Sequence, residues 1–118
     1  MSIRKFNITT FKQNLKTSHE KKSNYGEIFT PFALIKQMLE MIPDECFLDE
    51  NAKWLDLGAG TGYFSMYIYW KLNNSLYNTI KDDNKRHNHI IQNMIYMIEI
   101  QECNVLHLRE IFGNNANI

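Results

Sequence analysis

Residues 54–62 read WLDLGAGTG and run without a break into YFSMYIYWKL. Glycines at 58, 60 and 62 stop any helix, so the apolar run before them reads as a short buried strand of a parallel sheet. The stretch after them is aromatic on nearly every side, which predicts a helix starting at about Gly62, buried against a sheet on one face and against a neighbouring helix or the N-terminal arm on the other. A strand, a glycine turn and a helix are the opening unit of a layered α/β fold. Such a unit needs apolar material on both sides of its helix. With 118 residues, 44% of them apolar and 13% aromatic, the chain can pack one domain around it and no more.

The flanking segments extend this unit. In TPFALIKQMLEMIP, Thr30 is placed to be an N-cap and Pro31 the first helical residue. Ile35, Met38, Leu39 and Ile42 form an apolar stripe that Pro43 ends. DECFLDENAK reads as an acidic surface loop. Residues 73–89, NNSLYNTIKDDNKRHNH, break the pattern with asparagines and mixed charges and read as an insertion. IYMIEI returns as a second apolar strand ending in Glu99. NVLHLREIF is a helix with Val105, Leu108, Ile111 and Phe112 on one side, His107 at its boundary and Gly113 at the C′ position. The closing NANI reads as the opening of a third strand. The order matches the first half of a doubly wound parallel sheet.

The glycine cluster narrows the ligand. A P-loop requires lysine and Ser/Thr after its last glycine, and Tyr63 and Phe64 stand there, so phosphate cradling by this loop is excluded. A dinucleotide fingerprint reads G-x-G-x-x-G with an acid about 20 residues on; this chain has G-x-G-x-G and no strand-end acid before Glu99, which disfavours NAD. The residues fit a ligand with an amino-acid end and a ribose. Asp56 offers negative charge to an ammonium, glycines let the backbone approach closely, and Glu99 can accept both ribose hydroxyls. Those are the demands of S-adenosylmethionine.

LDLGAGTGYF and IYMIEI resemble the glycine-rich motif and the ribose-binding strand of class I S-adenosylmethionine-dependent methyltransferases. YGEIFTP, residues 25–31, resembles a segment of the DNA adenine-N6 methyltransferases of restriction-modification type, in which an aromatic followed by Thr-Pro precedes the glycine motif. Taken alone, that segment also reads as an ordinary Thr-capped, Pro-started helix. The resemblance implies the N-terminal half of a Rossmann-like doubly wound sheet, truncated. Residues 1–24 would be a basic arm, and residues 25–118 a partial cofactor domain with an insertion at about 73–89. It implies that Phe29 walls the methionine end of the pocket and that Thr30 with nearby backbone holds the cofactor carboxylate. The full implied contact set is Phe29, Thr30, Asp56, Gly58, Ala59, Gly60, Gly62, Glu99 and Ile100.

The catalytic motif of that family, Asn or Asp followed by Pro-Pro and an aromatic, is absent, since the only prolines are Pro31 and Pro43. No catalytic residue is assigned, and the chain is expected to be the N-terminal portion of a longer enzyme or a half that pairs with a second chain. In the complete enzyme the target adenine would be flipped out of DNA into a pocket that this portion does not supply. A protein-glutamine, RNA or small-molecule methyltransferase fragment and a non-catalytic split half remain as alternative readings.

Charge and cysteines add less. Residues 1–22 carry six Lys and Arg against Glu20, a net of +5, so the other residues sum to −5. The arm reads either as a phosphate-contacting tail or as a solvated segment touching the body through Phe6, Phe11 and Leu15. Cys46 and Cys103 read as buried free thiols, and His87 and His89, on a polar stretch without cysteines or paired acids, read against metal ligation. No run approaches the ~18 to 20 apolar residues of a membrane span, and the N-terminus has no signal-peptide core, so the chain is expected to be cytoplasmic.

Overall fold

The computed structural model describes residues 2–7 and 31–118, so Phe29, Thr30 and most of the basic arm lie outside the described residues. A 3-10 turn at Ile3–Lys5 is capped by Ser2, whose Oγ accepts from the Arg4 N–H at 3.3 Å. Five helices and two strands follow: α1 (Phe32–Glu40), α2 (Asp44–Leu48), β1 (Trp54–Leu57), α3 (Tyr63–Ser75), α4 (Asp83–Asn93), β2 (Ile95–Ile98) and α5 (Glu102–Phe112). The chain is a mixed α/β protein.

β1 and β2 pair in parallel, with Trp54 opposite Ile95 and Leu57 opposite Ile98. Parallel neighbours need a crossover, which α3 and α4 provide. On the other side of β2, Tyr96 bridges Asn117 in parallel and the Met97 N–H donates to the Asn117 carbonyl at 2.8 Å, so NANI meets the sheet through one isolated bridge where a third strand was expected to open. Asn117 secures it by donating from Nδ2 to the carbonyls of Ile91, Gln92 and Ile95. The spatial order is therefore residue 117, β2, β1, with β1 at the edge among the described residues.

The sheet has one covered face and one open face. Ile95 and Met97 are buried beside the half-buried Trp54 and Asp56, whereas Leu55, Leu57 and Ile98 on the opposite face are half or more exposed. The core lies on the covered side. There α3 is buried over five successive residues, Ser65 to Tyr69, because α1, α2, α4 and β2 all pack on it. That accounts for an aromatic sequence with no polar stripe.

Several expectations need correction. α1 begins at Phe32 with Pro31 in the capping position, its carbonyl accepting from the Leu34 and Ile35 N–H groups, rather than with Thr30 as cap. Its buried stripe is Ile35 and Leu39 with Ile42 beyond the helix end, and Met38 faces solvent. The acidic loop contains α2, which Pro43 initiates and which buries Phe47 completely, stacked on Trp54 at 4.6 Å between ring centroids. Residues 83–93 are helical, in place of the polar stretch without periodicity that the sequence offered. Asp82 caps α4 by accepting from the Lys85 N–H at 2.8 Å, and Arg86, Ile90 and Ile91 form its buried face. Cys103 is exposed and Cys46 partly so, in place of the two buried thiols expected. Among the described residues no helix is long and apolar enough to cross a membrane.

Candidate functional site

β1 delivers Asp56 to the carboxyl end of the sheet, and β2 delivers Glu99 to the same end, one residue beyond Ile98. Parallel pairing enforces this, because both strands run the same way. Burial raises the Asp56 carboxyl above its ordinary 3.8, hydrogen bonds from Ser65 oppose the shift, and the charge of Glu99 adds to it. The Ser65 hydroxyl donates to Asp56 Oδ2 at 2.8 Å from a fully buried position on α3.

Between the acids runs the glycine loop. Gly58, Gly60 and Gly62 have φ of +72°, +58° and +89°, all in the left-handed region that side chains rarely adopt. Their surroundings divide them. A Cβ on Gly58 would meet nothing within 4 Å, and one on Gly60 only the Gly58 carbonyl at 4.0 Å, whereas a Cβ on Gly62 would lie 2.6 Å from Leu108 Cδ2 and 3.3 Å from Phe112 Cε2. Gly62 is thus a packing glycine that seats α3 against α5, and Gly58 and Gly60 leave open space above the strand tip. The buried Ala59 ties the loop to β2, donating its N–H to the Ile98 carbonyl at 2.9 Å and accepting from Gly62 at 2.9 Å.

Glu99 is partly occupied by its own chain. Oε1 accepts from the backbone N–H groups of Ile100 at 3.0 Å and Gln101 at 3.4 Å, and Oε2 from Asn104 Nδ2 at 3.2 Å, so the carboxylate fixes the turn that leads into α5. A carboxylate offers about four acceptor positions. A diol reaching both oxygens would use the free one on Oε2 and displace the long contact from Gln101. Ile100 is 93% exposed at the rim.

Along the free edge of β1 a groove of about 320 Å³ is lined by Leu39, Ile42, Trp54, Leu55, Asp56, Leu57, Phe64 and Ile68. It is apolar apart from Asp56 and the Trp54 indole. Trp54 Nε1 is buried without a hydrogen-bond partner among the described residues. Glu99 is not part of this lining, so the two acids face separate parts of the site.

Sequence reasoning missed Ser65 and Asn104, the two side chains that orient the acids. Ser65 stands three residues after the last glycine, in the first turn of α3, where a side chain faces back toward the strand end, and that position is readable once the helix start is fixed. Asn104 had no comparable signal. The histidines are apart: His87 Nδ1 bonds the Tyr69 hydroxyl at 2.8 Å and His89 Nε2 bonds the Glu50 carbonyl at 2.7 Å. Among the described residues no group of three or more His, Cys, Asp or Glu could hold a metal. Set against protein-family models, curated proteins and solved structures, the chain matches none of them.

Proposed function

We propose that this chain is the S-adenosylmethionine-binding portion of a site-specific DNA adenine-N6 methyltransferase. The observation that carries the reading is the pair Asp56 and Glu99 at one end of parallel β1 and β2, beside a glycine loop that is left-handed and open at Gly58 and Gly60. When bound, S-adenosylmethionine would supply an electrophilic methyl group. In this reading the chain's residues bind and orient it. Asp56, held by Ser65, faces the cationic amino-acid end in the groove along β1, where a positive ligand would draw its raised pKa back down. Glu99, held by Asn104 and the Ile100 N–H, accepts the ribose hydroxyls. Phe29 and Thr30 complete the methionine end on the strength of the sequence resemblance alone.

A second chain carrying the remaining half of the fold, together with DNA as the substrate bound by the whole, belongs to the same proposal. The open sheet face at Leu55, Leu57 and Ile98 and the free edge of β1 support it, since an exposed apolar edge strand favours further pairing. With no Pro-Pro motif in its 118 residues, the chain by itself is expected to transfer no methyl to DNA.

The test is calorimetric titration with S-adenosylmethionine, S-adenosylhomocysteine and adenosine, beside a tritiated-methyl assay on adenine-containing duplex. Saturable binding is expected, weakened about tenfold or more by Asp56→Asn for the two amino-acid ligands only and by Glu99→Gln for all three, as loss of a charged hydrogen-bond partner costs ~1.5–3 kcal/mol. Binding of none of the three, or variants that bind all three as tightly as the unsubstituted chain, would sink the cofactor assignment. Methylation by the isolated chain would overturn the half-enzyme reading.

A further inference from the structure

On the side of α3 away from the glycine loop lies a second concavity, a cleft of about 180 Å³ lined by Arg4, Tyr69, Asn73, Asp83 and Arg86. Every lining side chain is polar, so no wall suits an apolar ligand body. The donors can be counted. Arg86 is buried and nearly saturated: Nε donates to Asn73 Oδ1 at 2.9 Å, Nη1 to the carbonyls of Ile80 and Lys81 at 2.8 and 3.3 Å, and Nη2 to Asp83 Oδ1 at 2.6 Å. That leaves one of its five N–H groups. The Tyr69 hydroxyl is committed to His87.

Arg4 is different. Its guanidinium has no carboxylate within ion-pair distance among the described residues, although it is close enough to add to the burial that lowers His87 and to oppose the burial that pushes Tyr69 up to about 12. Asn73 accepts from Arg86 through Oδ1, and its Nδ2 has no acceptor among the described residues. Two arginines against Asp83 give the lining a net charge of +1. A charged fork, a free amide and one spare guanidinium N–H facing a small polar space match a tetrahedral oxyanion. At ~30 Å³ per water the volume holds such a group with a few waters.

We propose that this cleft binds a single phosphate group, with Arg4 as its principal charge and Asn73 and Arg86 as orienting donors. The site is independent of the glycine loop and of the cofactor reading. The phosphate can come from a free phosphate or phosphomonoester, or from a nucleic-acid backbone, which the lysine-rich segment around Arg4 would attract.

Phosphorus NMR titration with inorganic phosphate tests the site on the intact chain, with circular dichroism to check that each variant folds. Arg4→Gln is expected to weaken phosphate about tenfold or more. Lys5→Gln, at the neighbouring exposed position, should change it less than about twofold, as for a rim charge. Fluorescence anisotropy with a short duplex then separates the sources. A duplex that displaces phosphate, and whose salt dependence falls by about one contact in Arg4→Gln, identifies backbone phosphate; phosphate binding that duplex does not displace identifies a free phosphate or monoester. Absence of saturable phosphate binding, or equal losses in Arg4→Gln and Lys5→Gln, would overturn the proposal.

Discussion

Replacing Gly62 and Gly58 with alanine, one at a time, separates backbone strain from packing in the same loop. Both have left-handed φ, so each replacement carries the conformational cost of a side chain there, about 1–2 kcal/mol. Only at residue 62 would the new methyl meet anything: Leu108 Cδ2 at 2.6 Å and Phe112 Cε2 at 3.3 Å, both on fully or nearly fully buried side chains of α5. Carbon atoms normally pack at about 3.5–4.0 Å, so Leu108 must move, and overpacking of this kind costs about 1–3 kcal/mol. Gly62→Ala should therefore lose about 2–5 kcal/mol and Gly58→Ala about 1–2, against a typical total of about 5–15 kcal/mol. Urea unfolding followed by Trp fluorescence measures both, with a larger midpoint shift for Gly62→Ala. Leu108→Ala tests the cause. By itself it should cost about 2–5 kcal/mol, but combined with Gly62→Ala the total should fall short of the sum by about 1–2 kcal/mol, because the clashing atoms are gone. Equal costs at residues 58 and 62, or strict additivity in the cycle, would refute the packing argument.

Other expectations follow from the titrating and buried groups. Burial, reinforced by Glu99, raises the folded pKa of Asp56 above 3.8, so its contribution to stability is fully present below pH 3.8 and is lost as pH rises through the folded value. Asp56→Asn should hence be more stable than wild type at neutral pH, with the difference vanishing in acid; thermal melts across pH that show no such convergence would contradict it. His87 is held below its ordinary 6.5 by burial and then by Arg4, so its stabilising contribution is full above pH 6.5 and is lost as pH falls through its lower folded value. NMR titration of the imidazole should give a midpoint below pH 6.5, and a midpoint at or above that value would count against the assignment. Arg86→Lys should destabilise by about 2–4 kcal/mol in denaturant unfolding, since an ammonium cannot reach Asn73, Ile80, Lys81 and Asp83 together, and a loss under about 0.5 kcal/mol would mean those bonds matter little.

What the sequence by itself determined is the part governed by short-range rules. Glycines at 58, 60 and 62 punctuate an apolar run, so β1 and the start of α3 were readable to within a residue. The acids at 56 and 99 sit at the ends of apolar runs, and parallel pairing then places them together. The helix ending at Gly113 and the sheet contact after it were legible for the same reason. Tertiary structure decided the rest. α4 was hidden because its buried face is Arg86, Ile90 and Ile91, and an arginine held by four partners does not look apolar in a pattern. α2 was hidden because one turn of helix has no period to detect; stacking of Phe47 on Trp54 makes it worth forming. Three glycines alike in sequence took different roles because α5 packs over Gly62 and leaves Gly58 open. Glu99 looked free to bind a ligand, yet the N–H groups of Ile100 and Gln101 and the side chain of Asn104 on α5 claim most of its acceptor positions, and the Asn104 contact exists only once the helix packs beside the strand end.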